Sequence, residues 1–86
     1  MKILKPAKAG TMESSDIYVM VHPNEGGIEI NLESIVMKQF GDQIEKVIRE
    51  TLEDFKVENI LVVAKDRGAL DYTIRARIET AIKRAM

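Results

Sequence analysis

The chain has no cysteine. That excludes a disulfide, a thiolate-bound zinc and a cysteine nucleophile. It also excludes a thioester on any of the chain's own side chains, so thiol chemistry here has to arrive on an added group. Positive charge is not in excess: 13 Lys and Arg face 14 Asp and Glu, for a net charge of −1. No surplus exists to neutralise phosphates, which argues against a general nucleic-acid binder. Long apolar runs are missing as well. The longest, Ile60–Ala64, falls far short of the roughly 20 residues of a membrane span. The lysines near Met1 have no apolar signal core behind them, so the chain is expected in the cytoplasm and off the membrane. With 86 residues, one domain over residues 1–86 is expected, too small for a deep private substrate cavity.

The single histidine, His22, sits beside Pro23 at the end of a strand-like segment. No serine and acid are spaced to make a catalytic triad with it, and scattered carboxylates fix no metal geometry. His22 reads as a surface turn residue. Gly26-Gly27 precedes a strand-like stretch rather than a helix, so it is not a phosphate-binding loop. The five methionines read as gap-filling or terminal.

What is present is 45% hydrophobic and 31% charged, the balance of a chain that folds. Residues 1–12, with Pro6 and Gly10, lack a steady period and read as an arm or loose edge segment. Ile17, Val19 and Val21 alternate with Tyr18, Met20 and His22, which predicts a strand. Tyr18 and Met20 then form either a contact surface or a second buried face. After the turn residues Pro23–Gly27, Ile28, Ile30 and Leu32 alternate with polar residues. The two strands and their turn read as a hairpin. From Ser34 to Lys56 the period changes. Val36, Phe40, Ile44, Val47, Ile48, Thr51, Leu52 and Phe55 recur every three or four residues, which predicts an amphipathic helix. Gly41 followed by Asp42 predicts a kink or a break into two collinear pieces. Ile60–Ala64 reads as a strand covered on both faces. Lys65–Ala69 is a turn. Asp71 is placed to cap a last helix running to about Ala85, although Leu70, Tyr72, Ile74 and Ala76 also alternate like a strand. The fold expected is α+β: a two-layer sandwich of a mainly antiparallel sheet with two helices on one face, in the order β-β-α-β-α.

Charge drifts along the chain, from −2 over residues 1–33 to +2 over residues 57–86. The arginines of the last helix are either a docking face or a solvated one. In Gly10-Thr-Met-Glu-Ser-Ser-Asp16, Ser14 and Ser15 lie between two acids. On the residues alone this is a polar lead-in to a strand. It is also a place where a modifying enzyme can reach a hydroxyl and join it to phosphate. Neither serine has a neighbouring base to make it a nucleophile by itself.

At this segment the chain resembles a known family. Ala9-Gly-Thr-Met-Glu-Ser-Ser-Asp-Ile17 is similar to the start of the citrate lyase acyl carrier proteins, the gamma subunits of that bacterial complex. The likeness continues through Leu32-Glu-Ser-Ile-Val36, Gln39-Phe-Gly-Asp42 and Val47-Ile-Arg-Glu-Thr-Leu52. It ends with Asp66-Arg-Gly-Ala-Leu-Asp71, Arg75-Ala-Arg77 and Arg84-Ala85. The family's Asp-Lys-Gly-Ala stands here as Asp66-Arg67-Gly68-Ala69, which keeps the charge.

The resemblance implies that Ser14, rather than Ser15, carries a covalent 2'-(5''-phosphoribosyl)-3'-dephospho-CoA group through a phosphodiester. It implies a prosthetic-group transferase that attaches the group. It implies an alpha subunit that exchanges acetyl for citryl on its thiol, and a beta subunit that cleaves the citryl thioester to oxaloacetate. The carrier of malonate decarboxylase is a related family with the same type of group. Glu13 and Asp16 then serve either transferase recognition or solvation of the loop. The absent cysteine agrees with this implication, because the sulfur would be the group's own. Fatty-acid carriers differ: they are acidic helical bundles with an Asp-Ser-Leu attachment block, which this chain lacks.

Overall fold

A computed structural model describes all residues, Met1–Met86. Four strands and two helices follow one another as β1 (Ala7–Gly10), β2 (Ile17–His22), β3 (Ile28–Ser34), α1 (Met37–Asp54), β4 (Ile60–Asp66) and α2 (Asp71–Ala85). The sheet order is β1-β2-β4-β3. β1 and β4 each pair antiparallel with β2, while β3 runs parallel to β4. Both helices pack on one face, so the molecule is the two-layer α+β sandwich expected. Residues 1–12 supply the edge strand β1, and Ile3 is buried ahead of it.

The alternation of β2 and β4 decides which side is covered. Ile17, Val19 and Val21 register with Asp66, Ala64 and Val62, and all six are buried beneath the helices. Ile28, Ile30 and Leu32 register with Ile60, Val62 and Ala64 on the same side. α1 contributes Gly41, Ile44, Ile48, Thr51 and Leu52, and α2 contributes Ile74, Ile78, Ala81, Ile82 and Ala85. Together these make one core, with no buried polar side-chain atom left without a partner.

Four expectations are corrected. β2 and β3 do not form a hairpin, because β4 lies between them. The most apolar strand takes the central position, where both its edges are paired. The stretch after His22 therefore spans about 10 Å, two inter-strand spacings. Gly27 is tied to the start of β4 instead of to β2: its N–H donates to Asn59 Oδ1 at 3.0 Å, and its carbonyl accepts from Ile60 N–H at 3.1 Å.

β4 is covered on one face only. Leu61, Val63 and Lys65 are half-buried on the open side, in register with His22, Met20 and Tyr18. α1 is one continuous helix through Gly41, and it begins at Met37 instead of Asp42. Gly41 is buried because the Met37 side chain lies across it; an added Cβ would stand 3.1 Å from Met37 Sδ and Cε. The glycine's loss of propensity, about 1 kcal/mol, is offset by that close packing. Phe40, one position off the buried face, is displaced to the surface at 55% exposure. Residues 70–76 resolve as helix, with Leu70 as N-cap. The Asp71 carboxylate caps no amide; it accepts from Gln43 Nε2 of α1 at 2.9 Å. It still adds a favourable charge to the first turn.

Candidate functional site

The loop between β1 and β2 carries both serines. Its entry is Gly10, at φ +88°. A Cβ there would stand 1.9 Å from the carbonyl oxygen of Ile17, so only glycine lets the chain turn this tightly. The tip is a β-turn over Glu13–Asp16, closed by Asp16 N–H donating to the Glu13 carbonyl at 3.2 Å. Ser14 occupies its second place and Ser15 its third. Ser15 has φ 63°, the left-handed value that the third place of a type II turn requires. For an L-residue other than glycine this costs about 1 kcal/mol.

The two serines therefore have different jobs in the backbone. Ser15 bends the chain, and its N–H donates to the Arg67 carbonyl at 2.8 Å. Ser14 stands at the outer corner and is exposed. No protein group accepts from or donates to either hydroxyl.

Two carboxylates hold this corner. Asp16, 8% exposed, receives a bidentate grip from Arg77 of α2, with Nε to Oδ1 at 3.0 Å and Nη2 to Oδ2 at 2.9 Å. Thr11 Oγ1 donates to Oδ2 at 2.7 Å, and the Ile17 N–H donates to Oδ1 at 2.7 Å. Thr11 Oγ1 in turn accepts from the Glu13 N–H at 3.2 Å. The Arg77 hydrogen bonds chiefly, then those of Thr11 and Ile17, outweigh burial and hold the Asp16 carboxyl down at about 2. Arg77 is raised by the same contact. Asp16 is thus neither a recognition residue on the surface nor a solvating one.

Asp66, 2% exposed, organises the other side. It accepts from Ser34 Oγ at 2.7 Å, Gly68 N–H at 3.0 Å and Ala69 N–H at 3.0 Å. The turn it shapes delivers Arg67, whose N–H donates to the Asp16 carbonyl at 2.9 Å. Arg67 thereby grips the serine turn by main-chain bonds at two adjacent residues. Neither acid was singled out for this role by the sequence. Asp16 and Arg77 are 61 positions apart, and no local pattern links them.

The Asp16–Arg77 clasp has a measurable consequence. A carboxyl whose folded value is about 2, against an ordinary 3.8, adds stability that is complete above the ordinary value. That stability is lost as pH falls from about 4 through about 2. The full shift corresponds to about 2 kcal/mol. Partial exposure of Arg77 reduces this to about 1–2 kcal/mol. Denaturant midpoints measured between pH 7 and pH 2 should show that loss in the wild type and not in Asp16→Asn. An equal acid loss in both proteins would exclude the linkage.

Other sequence candidates fall elsewhere. His22 is at the far end of β2, about 17 Å along the strand from Ile17, out of reach of Ser14. The α2 arginines are largely spent within the chain: Arg75 pairs with Asp54 at 2.7 Å, Arg77 with Asp16, and Arg84 donates to the Lys8 carbonyl at 2.9 Å. Two surface grooves, one of about 410 Å³ beside β3 and one between the N-terminal segment and the Pro23–Glu25 turn, include no residue of the serine loop. No three His, Asp or Glu residues are grouped to hold a metal, and no helix is long and apolar enough to cross a membrane. The loop can present a hydroxyl to a large partner, and no protein group is hydrogen-bonded to that hydroxyl to take its proton.

A family model described as "ACP: Malonate decarboxylase delta subunit (MdcD)" matches residues 4–85. One chain of a Pseudomonas malonate decarboxylase hetero-tetramer in complex with malonate has the same fold. It superposes with a TM-score of 0.80 over 100% of this chain and 93% of that one, at 22% identity. The citrate lyase acyl carrier protein of Halothermothrix orenii is 54% identical over 85 residues, 99% of this chain and 90% of that protein. Those of Cronobacter sakazakii and Lactobacillus helveticus are 53% and 54% identical, each over 99% of this chain and 88% of theirs. A match that spans nearly the whole chain at this level of identity shows the family: the chain belongs to the citrate lyase acyl carrier proteins.

Proposed function

We propose that this chain is the non-catalytic carrier subunit of a citrate lyase, holding acetyl and citryl groups while citrate is cleaved to acetate and oxaloacetate. Ser14 is the attachment point of a covalent 2'-(5''-phosphoribosyl)-3'-dephospho-CoA group, joined through a phosphodiester. When bound, that group supplies the thiol on which the acyl groups ride. The observation that carries the reading is the Ser14 hydroxyl: exposed, without a hydrogen-bond partner, at the outer corner of a turn fastened to β4 and α2, in a chain with no sulfur nucleophile of its own.

The residues fit such a group. A phosphodiester needs an accessible hydroxyl and an anchor that does not yield, and the turn offers both. No neighbouring base activates Ser14, so a separate transferase has to attach the group. Residues 11–15 are exposed, so a linked arm extends into solvent and reaches active sites on other subunits. Tethering replaces a bimolecular encounter by one at an effective concentration of up to about millimolar. The partners are then the acyl-transferring alpha subunit, the citryl-cleaving beta subunit and the prosthetic-group transferase, all in the cytoplasm; neither nucleic acid nor membrane takes part.

The test is the intact mass of the chain isolated from its native host, before and after phosphodiester cleavage. The expected result is a mass excess equal to the group, lost on cleavage and mapped to the Ser14 peptide. An unmodified chain co-purifying with active lyase would overturn the proposal. A second reading, a malonate decarboxylase carrier, draws on the description of the matching family model. Assaying the reconstituted complex with citrate against malonate separates the two.

A further inference from the structure

We propose that the Arg67 guanidinium is a binding site for the phosphodiester anion on Ser14, and so orients the root of the arm. The inference rests on the reading that Ser14 is modified. Five arginines are present, and four are engaged within the chain. Arg49 pairs with Glu45, Arg75 with Asp54 and Arg77 with Asp16, while Arg84 donates to the Lys8 carbonyl. Arg67 alone has a side chain with no hydrogen bond or ion pair, and it is exposed. It is also the residue whose main chain is bonded to the serine turn on both sides, from Ser15 N–H at 2.8 Å and to the Asp16 carbonyl at 2.9 Å. An unspent cation is therefore anchored, through its main chain, beside the turn that carries the exposed Ser14 hydroxyl.

Charge in the turn argues the same way. Asp16 is already neutralised by Arg77. Glu13 is exposed and has no cation of its own. A phosphodiester on Ser14 adds a second uncompensated negative charge to the turn. Arg67 is the cation fastened to this turn that is free to answer it, and its planar fork presents two N–H groups to two phosphate oxygens. Asp66 contributes by holding the Arg67–Ala69 turn through Gly68 and Ala69; it positions Arg67 and does not touch the phosphate.

The experiment uses the full chain, labelled with 15N and loaded by its transferase, with loading on Ser14 verified by mass. On loading, the Arg67 Nε–Hε signal should shift, and its exchange with water should slow about tenfold, as expected for a charge-assisted hydrogen bond. The 31P signal of the serine-linked phosphodiester, distinct from that of the pyrophosphate, should move in loaded Arg67→Gln. It should return toward wild type in Arg67→Lys and stay unchanged in Lys65→Gln. An Arg67 signal indifferent to loading, or a serine-linked phosphorus signal indifferent to Arg67→Gln, overturns the inference while leaving Ser14 modification intact. A response of the pyrophosphate signal alone overturns it too. A chain that carries no adduct on Ser14 removes the underlying reading, and this inference with it.

Discussion

Ser14→Ala should abolish citrate turnover by the reconstituted complex, while leaving the carrier as stable as the wild type. The side chain is exposed and makes no hydrogen bond, so its loss falls among surface changes worth within about 0.5 kcal/mol. On the proposed reading activity depends on that hydroxyl, because no side chain of the protein offers a thiol in its place. The neighbouring serine gives the control, and its backbone dictates which substitution to use. At φ 63° alanine would keep the strain, whereas glycine adopts the conformation freely. Ser15→Gly should therefore keep full loading and turnover, with stability unchanged or raised by up to about 1 kcal/mol. Turnover that survives Ser14→Ala and vanishes in Ser15→Gly would reverse the assignment of the two serines. Turnover that survives both would end the carrier reading. Mass and melting curves of the same samples separate failure to load from failure to fold.

Gly10→Ala should be the most damaging single methyl group in the molecule. The added Cβ would stand 1.9 Å from the Ile17 carbonyl oxygen and 3.3 Å from Arg77 Cδ, at a φ of +88°. The first contact is with main chain, which moves only if the β1–β2 junction opens. We expect a loss of about 2–4 kcal/mol, combining a positive-φ penalty with overpacking. We also expect slower loading by the transferase, since the loop has to shift away from Arg77. Denaturant melts and the initial rate of mass gain measure the two effects. Gly26→Ala is the comparison: no neighbour lies within 4 Å of a Cβ there, and stability should change little. Equal stability of the two variants would mean that the loop is far more pliant than its contacts imply.

Much of this architecture was legible in the periodicities. The alternation of Ile17–Val21 and Ile28–Leu32, and the helical spacing of Ile44, Ile48 and Leu52, located the strands and α1, because burial on one face imposes those periods directly. Adjacency was not legible in the same way. Pro23–Gly27 has the composition of a hairpin turn, and only the demand of β4 for partners on both edges places a strand between β2 and β3. Gly41 misled as well. Read in isolation it is a helix breaker, and its usefulness depends on a Met37 side chain lying over it.

The serine loop was found as a polar segment and, through the family likeness, as an attachment site. What holds it was not found. Asp16 read as a recognition or solvating charge, Asp66 and Arg67 as parts of a turn, and Arg77 as one of a docking or solvated row of arginines. The bonds of Arg67 to the serine turn and of Arg77 to Asp16 join residues about 50 and 61 positions apart, which no local pattern encodes; only the bonds of Asp66 to Gly68 and Ala69 are local.

The clasp around Ser14 carries a consequence for how the protein is made. Ser14 is held in place by residues made more than fifty positions later, through the main-chain bonds of Arg67 and the fork of Arg77. A nascent or truncated chain that ends before them exposes the same serine on a slack thread, without the corner that a transferase would meet in the finished molecule. On the proposed reading, loading that depends on this corner has to wait until Arg77 has been added, so an unfinished carrier goes unmodified.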